Sequence, residues 1–119
     1  MQKDNPALDK SFEFAKNIVL LYKSIVSNHK EFTLSKQLLR AGTSIGANVS
    51  EANGAISEAD FSNKISIAYK ECLETKYWLR LLKETDYLTE SIFNDLFNKA
   101  DELAKILFSI LKKTRIKEK

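Results

Sequence analysis

The sequence predicts an all-α protein, an antiparallel up-down-up-down four-helix bundle. Three observations carry that prediction. Apolar residues recur at three- and four-residue spacing through four long segments. Three Gly and one Pro in 119 residues are too few for a loop-rich fold. No segment alternates apolar and polar residues as a half-buried strand would.

The first helix is predicted over about 7–28. Leu8, Phe12, Ala15, Val19, Tyr22 and Val26 keep the 4-3-4-3-4 spacing of a heptad seam. Phe14, Ile18, Leu21 and Ile25 widen it. The second helix, about 33–53, starts at Thr33 as its N-cap and stops before Gly54. Ser57 with Asp60 then forms a Ser-x-x-acid start signal for a third helix over about 58–84. Its seam is Phe61, Ile65, Ala68, Cys72, Leu79 and Leu82. Thr89 caps a fourth helix, about 90–114, with Phe93, Leu96, Ala100, Leu103, Leu107 and Leu111 inward. One domain covers residues 1–119, and the rod is expected to be roughly 30–40 Å long at 1.5 Å per residue.

The segment Gln37–Ala52 has three chemically distinct faces at 100° per residue. Leu38, Ala41, Ile45, Val49 and Ala52 form an apolar stripe. Gln37, Arg40, Ser44, Asn48 and Glu51 form a polar file beside it. Gly42 and Gly46 lie on a small-residue face, where the helix-propensity cost of ~1 kcal/mol per Gly calls for close approach by another helix, within the chain or from a second subunit. If the second and third helices make a hairpin turning near Ala55 and Ile56, residues at equal distance from the turn sit level. That arithmetic places Arg40 opposite Glu71 and Gln37 opposite Glu74, and brings Asn48 and Glu51 near Asn63 and Lys64. The expectation is a hydrogen-bonded polar ladder that fixes helix register. Helix three is apolar over a wide arc, with Tyr69, Leu73, Tyr77, Trp78 and Leu81 flanking its seam. Together with Gly42 and Gly46, these residues are expected to serve self-association.

Catalytic signals are missing. The only histidine, His29, falls in a predicted turn, and Glu71-x-x-Glu74 lacks the histidine of a di-metal bundle site. Cys72 lies on the core seam without a base to activate it, and Ser44 likewise has no base. No phosphate-binding glycine loop or zinc pattern occurs. The expectation is therefore no enzyme, no catalytic residue, no metal and no cofactor. No apolar run approaches the ~20 residues of a membrane span, and no signal peptide opens the chain. One cysteine excludes an internal disulfide and fits a cytoplasmic protein.

The net charge of +3 is unevenly placed. Residues 112–119 hold five basic side chains against one acid, a balance of +4, and residues 1–111 hold 14 basic and 15 acidic ones, a balance of −1. Lys112, Lys113, Arg115, Lys117 and Lys119 are thus the expected nucleic-acid contacts, unless folding gathers a second basic patch.

The run Gln37-Leu-Leu-Arg-Ala, followed by Ser44-Ile-Gly-Ala-Asn48-Val-Ser-Glu51, resembles the signature of the bacterial four-helix family of the 23S ribosomal RNA intervening-sequence protein. Ala59-Asp60-Phe61, Ile67-Ala68 and Glu71-x-x-Glu74-Thr75-x-Tyr77-Trp78-Leu79 are similar to its third helix. The resemblance runs from about Phe12 to Leu111. It departs at Glu51-Ala52, where many relatives have Glu-Gly, and at Lys70-Glu71, where many have Gly-Ser. The resemblance implies a cytoplasmic bacterial protein assembled as a ring-like homopentamer, without enzymatic activity. It implies RNA or a nucleic-acid-processing protein as partner, because the related accessory protein of diversity-generating retroelements binds both nucleic acid and a reverse transcriptase. An oligomeric scaffold or adaptor for RNA or a ribonucleoprotein is the resulting expectation. The alternative is a protein-interaction module that holds a polymerase or toxin in oligomer grooves.

Overall fold

The structure is a computed structural model that describes the backbone of residues 5–118 and the side chains of residues 5–114. Four helices make up the fold: α1 (Pro6–His29), α2 (Leu34–Asn53), α3 (Glu58–Glu84) and α4 (Glu90–Glu118). No strand occurs among the described residues. The fold measures 48 × 28 × 22 Å. It is longer than the sequence predicts because α4 continues to Glu118. Its 29 residues span about 43 Å at 1.5 Å each.

Local chemistry sets the helix ends. Asn5 accepts a hydrogen bond from the Leu8 N–H at 3.1 Å, and Pro6 occupies the first turn, where no N–H is needed. Lys30 closes α1 in the left-handed region at φ 55°. Ser57 accepts from the Asp60 N–H at 3.0 Å while Asp60 accepts from the Ile56 N–H at 3.2 Å, a reciprocal cap for α3. Thr89 accepts from the Ile92 N–H at 3.2 Å at the start of α4.

The start of α2 differs from the sequence reading. Thr33 makes no side-chain cap. Glu31 reaches over it, accepting from the N–H groups of Leu34 and Ser35 at 2.8 Å each and of Thr33 at 3.1 Å. A longer side chain two residues upstream thus satisfies three donors that a threonine hydroxyl could not. Desolvation raises the Glu31 pKa, but the hydrogen bonds from Leu34, Ser35 and Thr33 outweigh it and leave the carboxyl below its ordinary 4.5. A lowered folded-state pKa means that the cap stabilises fully above the unfolded value and is lost as pH falls through the folded one. Glu31→Ala is expected to cost about 1 kcal/mol at neutral pH. In urea unfolding, its gap to the native chain should close as pH drops below 4.5.

The buried face of α1 is Ala7, Ser11, Phe14, Ile18, Leu21 and Ile25. This corrects the predicted seam: each of these residues precedes one of Leu8, Phe12, Ala15, Val19, Tyr22 and Val26 by one position. A one-residue shift turns a helix by 100°. Phe12 is consequently 63% exposed. The reason lies on α2. A Cβ on Gly46 would stand 3.2 Å from the Ser11 carbonyl oxygen, and one on Gly42 would stand 2.8 Å from Ile18 Cγ1. The two glycines admit the α1 backbone closely, so Ser11 and Ile18 must face them.

The remaining helices bury the predicted stripes. On α2 these are Leu38, Ala41, Ile45, Val49 and Ala52. On α3 they are Ile65, Ala68, Cys72, Leu79 and Leu82, with Thr75 added and Phe61 only partly buried. Thr75 is accommodated because its hydroxyl donates to the Glu71 carbonyl at 2.7 Å. On α4 the buried positions include Leu96, Ala100, Leu103, Leu107 and Leu111, with Phe93 partly buried. Each helix packs beside its neighbours in sequence, and α1 also touches α4, the slightest of these contacts. Arg40 meets Glu71, Glu51 meets Lys64, and Lys76 meets Asp101.

Candidate functional site

The polar file of α2 faces α3. Arg40 Nη1 donates to both oxygens of Glu71, at 3.3 and 3.5 Å, while Nη2 donates to Glu74. Gln37 accepts from Arg40 Nε at 3.4 Å. Ser44 donates to Glu71 Oε2 at 3.2 Å, and Asn48 donates back to the Ser44 hydroxyl at 3.0 Å and carbonyl at 2.9 Å. Glu51 pairs with Lys64 at 2.9 Å. The rows continue into aromatic residues, since Trp78 Nε1 donates to Glu74 at 2.9 Å and Tyr77 stands edge-on to Trp78.

Burial is graded across this network. The Glu71 side chain is 17% exposed, whereas Arg40 is 49% exposed. The guanidinium lies across the lip of the interface and spans two carboxylates three residues apart on α3. A half-exposed ion pair is worth about 0–1 kcal/mol. Its larger effect is to prevent two neighbouring carboxylates from facing each other without a cation. Arg40→Ala is expected to cost about 1–2 kcal/mol, more than the pair itself contributes, because it leaves both carboxylates unmatched. In urea unfolding, the Arg40→Ala/Glu71→Gln double variant should lose less than the sum of the two single losses.

The small face points inward. Gly42 and Gly46 meet α1 of the same chain, the close approach of a second helix that two mid-helix glycines call for. Tyr69 and Leu73 turn the other way, toward α4, where they line an open groove with Phe108. Tyr77 is largely exposed, and Trp78 packs partly buried against the core.

Lys112 and Lys113 are exposed on the last turns of α4. The side chains of Arg115, Lys117 and Lys119 lie outside the described residues. Cys72 is enclosed in the core, and burial pushes its thiol up to about 12. It is a protonated packing group at neutral pH. Among the described residues no three His, Cys, Asp or Glu side chains converge on a metal position. No helix among them is long and apolar enough to cross a membrane.

Sequence reasoning missed two features. Glu31 looked like a turn residue although it organises the α2 terminus. Lys105 and Phe108 were passed over although they line the groove facing Tyr69. The recurrence of Lys76, Arg80 and Lys83 at helical spacing, opposite Glu71 and Glu74, was the available signal for the second feature.

A search of curated proteins finds no match. A crystal structure of a protein of unknown function from the S23 ribosomal protein family of Bacteroides thetaiotaomicron VPI-5482 is similar, at 54% identity and a TM-score of 0.88. The match covers 89% of this chain and 98% of that one. With the family model matching residues 3–109, the four helices and the α2–α3 ladder are those of a chain that belongs to the 23S rRNA-intervening sequence protein family.

Proposed function

We propose that the chain is a non-enzymatic scaffold or adaptor of the bacterial cytoplasm whose partner is RNA or a ribonucleoprotein. In this reading the four helices run up-down-up-down, and the bundle is the protomer of a ring-like homopentamer. Exposed apolar side chains such as Phe12 and Leu20 on α1 support assembly, since they have no core to enter.

The carrying observation is how the charge is matched. Glu51, Glu71, Glu74 and Asp101 are each held by a cation of the same chain. Lys112 and Lys113 stand exposed where α4 ends, in a chain of net charge +3. The excess positive charge therefore lies in residues 112–119, five basic side chains against one acid, and a polyanion fits it. Five copies of the tail would place its five basic side chains around one ring and add avidity without sequence readout.

Titration with structured RNA tests the proposal. Binding is expected at about 50 mM salt and should fall by a few hundredfold near 200 mM if five phosphates per chain are neutralised. Absence of binding at the lower salt would contradict it.

A further inference from the structure

Between Glu71 and Lys83, helix α3 is sorted by charge. Its acids Glu71 and Glu74 turn to α2, where Arg40 holds them. Its cations turn to α4: Lys76 reaches Asp101 at 2.8 Å and lies 5.0 Å from the Phe97 ring centre, while Lys83 lies 4.9 Å from that of Phe93. Arg80, four residues beyond Lys76, is exposed and extends the same line. With Lys105, Lys112 and Lys113 of α4 beside them, these cations outnumber the acids that pair with them, Asp101, Glu84 and Glu90.

From Lys76 toward Tyr69 runs an open groove of about 560 Å³. Tyr69 and Leu73 form its α3 wall, and Phe108, Lys105 and Lys112 its α4 wall. Leu73 and Phe108 are each 45% exposed, and the Tyr69 and Phe108 rings are 5.7 Å apart, tilted by 41°. The carboxylate in the groove, Asp101, is neutralised from two sides, by Lys76 and by Lys105 at 3.1 Å.

Two copies do not meet symmetrically through this face, because pairing it with itself would bring like charges together. The occupant must carry repeated negative charge and also cover aromatic rings. A single nucleic-acid strand does both, whereas a duplex hides its base faces. The seven steps from Tyr69 to Lys76 rise about 10 Å, room for about two nucleotides.

We infer that the α3–α4 groove binds single-stranded nucleic acid, its bases stacking on Phe108 and Tyr69 and its phosphates meeting Lys105, Lys112 and Lys113. The inference rests on the RNA reading above and gives it a site apart from the end of the tail.

The test is fluorescence titration of the full chain with a labelled oligouridylate and, separately, a blunt RNA duplex of equal length. The native chain should prefer the single strand. Phe108→Leu should weaken single-strand binding about tenfold and leave duplex binding unchanged. Lys105→Gln, at a mostly exposed position, should weaken it several-fold and serves as the second variant should Phe108→Leu lose helical circular dichroism. Deleting residues 115–119 should weaken strand and duplex alike. If both point variants bind like the native chain while the deletion abolishes binding, the groove is wrong and RNA binding by the tail stands. No binding of either probe at low salt overturns both readings. Displacement of the oligouridylate by polyglutamate at equal charge would assign the groove to acidic polypeptides and overturn the inference.

Discussion

Gly42→Leu is expected to remove about 3 kcal/mol of stability or more, a large fraction of the stability of a domain this size. A Cβ at this position would stand 2.8 and 2.9 Å from the two γ carbons of Ile18 and 3.2 Å from its Cβ. Ile18 is fully buried, so it has no room to withdraw. A leucine side chain would have to push α1 away from α2 and open the core along its length. Ile18→Ala removes both clashing γ carbons. Alone it should cost about 2–5 kcal/mol, yet added to Gly42→Leu it should recover part of the loss. Urea midpoints of the four chains provide the comparison. If Gly42→Leu retained native stability, the close approach of α1 to α2 would be wrong.

The second large effect separates two phenylalanines two residues apart. Phe14→Ala should cost about 3–5 kcal/mol, because it leaves a cavity in the centre of the core. Phe12→Ala should change protomer stability by no more than about 0.5 kcal/mol. The heptad spacing of the sequence assigns Phe12 to the seam, while the fold buries Phe14. Denaturation of the two variants in urea decides between the two arrangements.

The contrast between α1 and α2 explains what the sequence could disclose. On α2, three chemical classes occupy three faces, so orientation follows from composition. The polar file needed acceptors, and counting from the Ala55–Ile56 turn located Glu71 and Glu74. On α1, apolar residues occupy adjacent positions along the helix, and two registers satisfy the same periodicity. The choice is made by Gly42 and Gly46, residues of another helix, which admit Ser11 and Ile18 and no bulkier contact. Periodicity within one segment carries no information about that tertiary constraint.

The site divides similarly. Arg40, Ser44 and Asn48 could be placed because a hairpin relates their helix to α3 by simple counting. The α3–α4 groove brings Tyr69 to Phe108 across a comparably short connection, where the same counting places them nearly level. Summing charge by segment hid its basic face, because Glu71 and Glu74 cancel Lys76 and Arg80 in sequence but face the opposite side of α3 in space. At α2 the missing information was reach. The Glu31 side chain spans the turn to the Ser35 N–H, a contact that a search for a short capping residue passes over.

The central claim, a ring of bundles that holds RNA, is tested most directly by native mass measurement with and without RNA. Five chains of 13.6 kDa would give a particle of about 68 kDa, with added mass when RNA is supplied at low salt. A 13.6 kDa species whose mass RNA does not change would contradict the account.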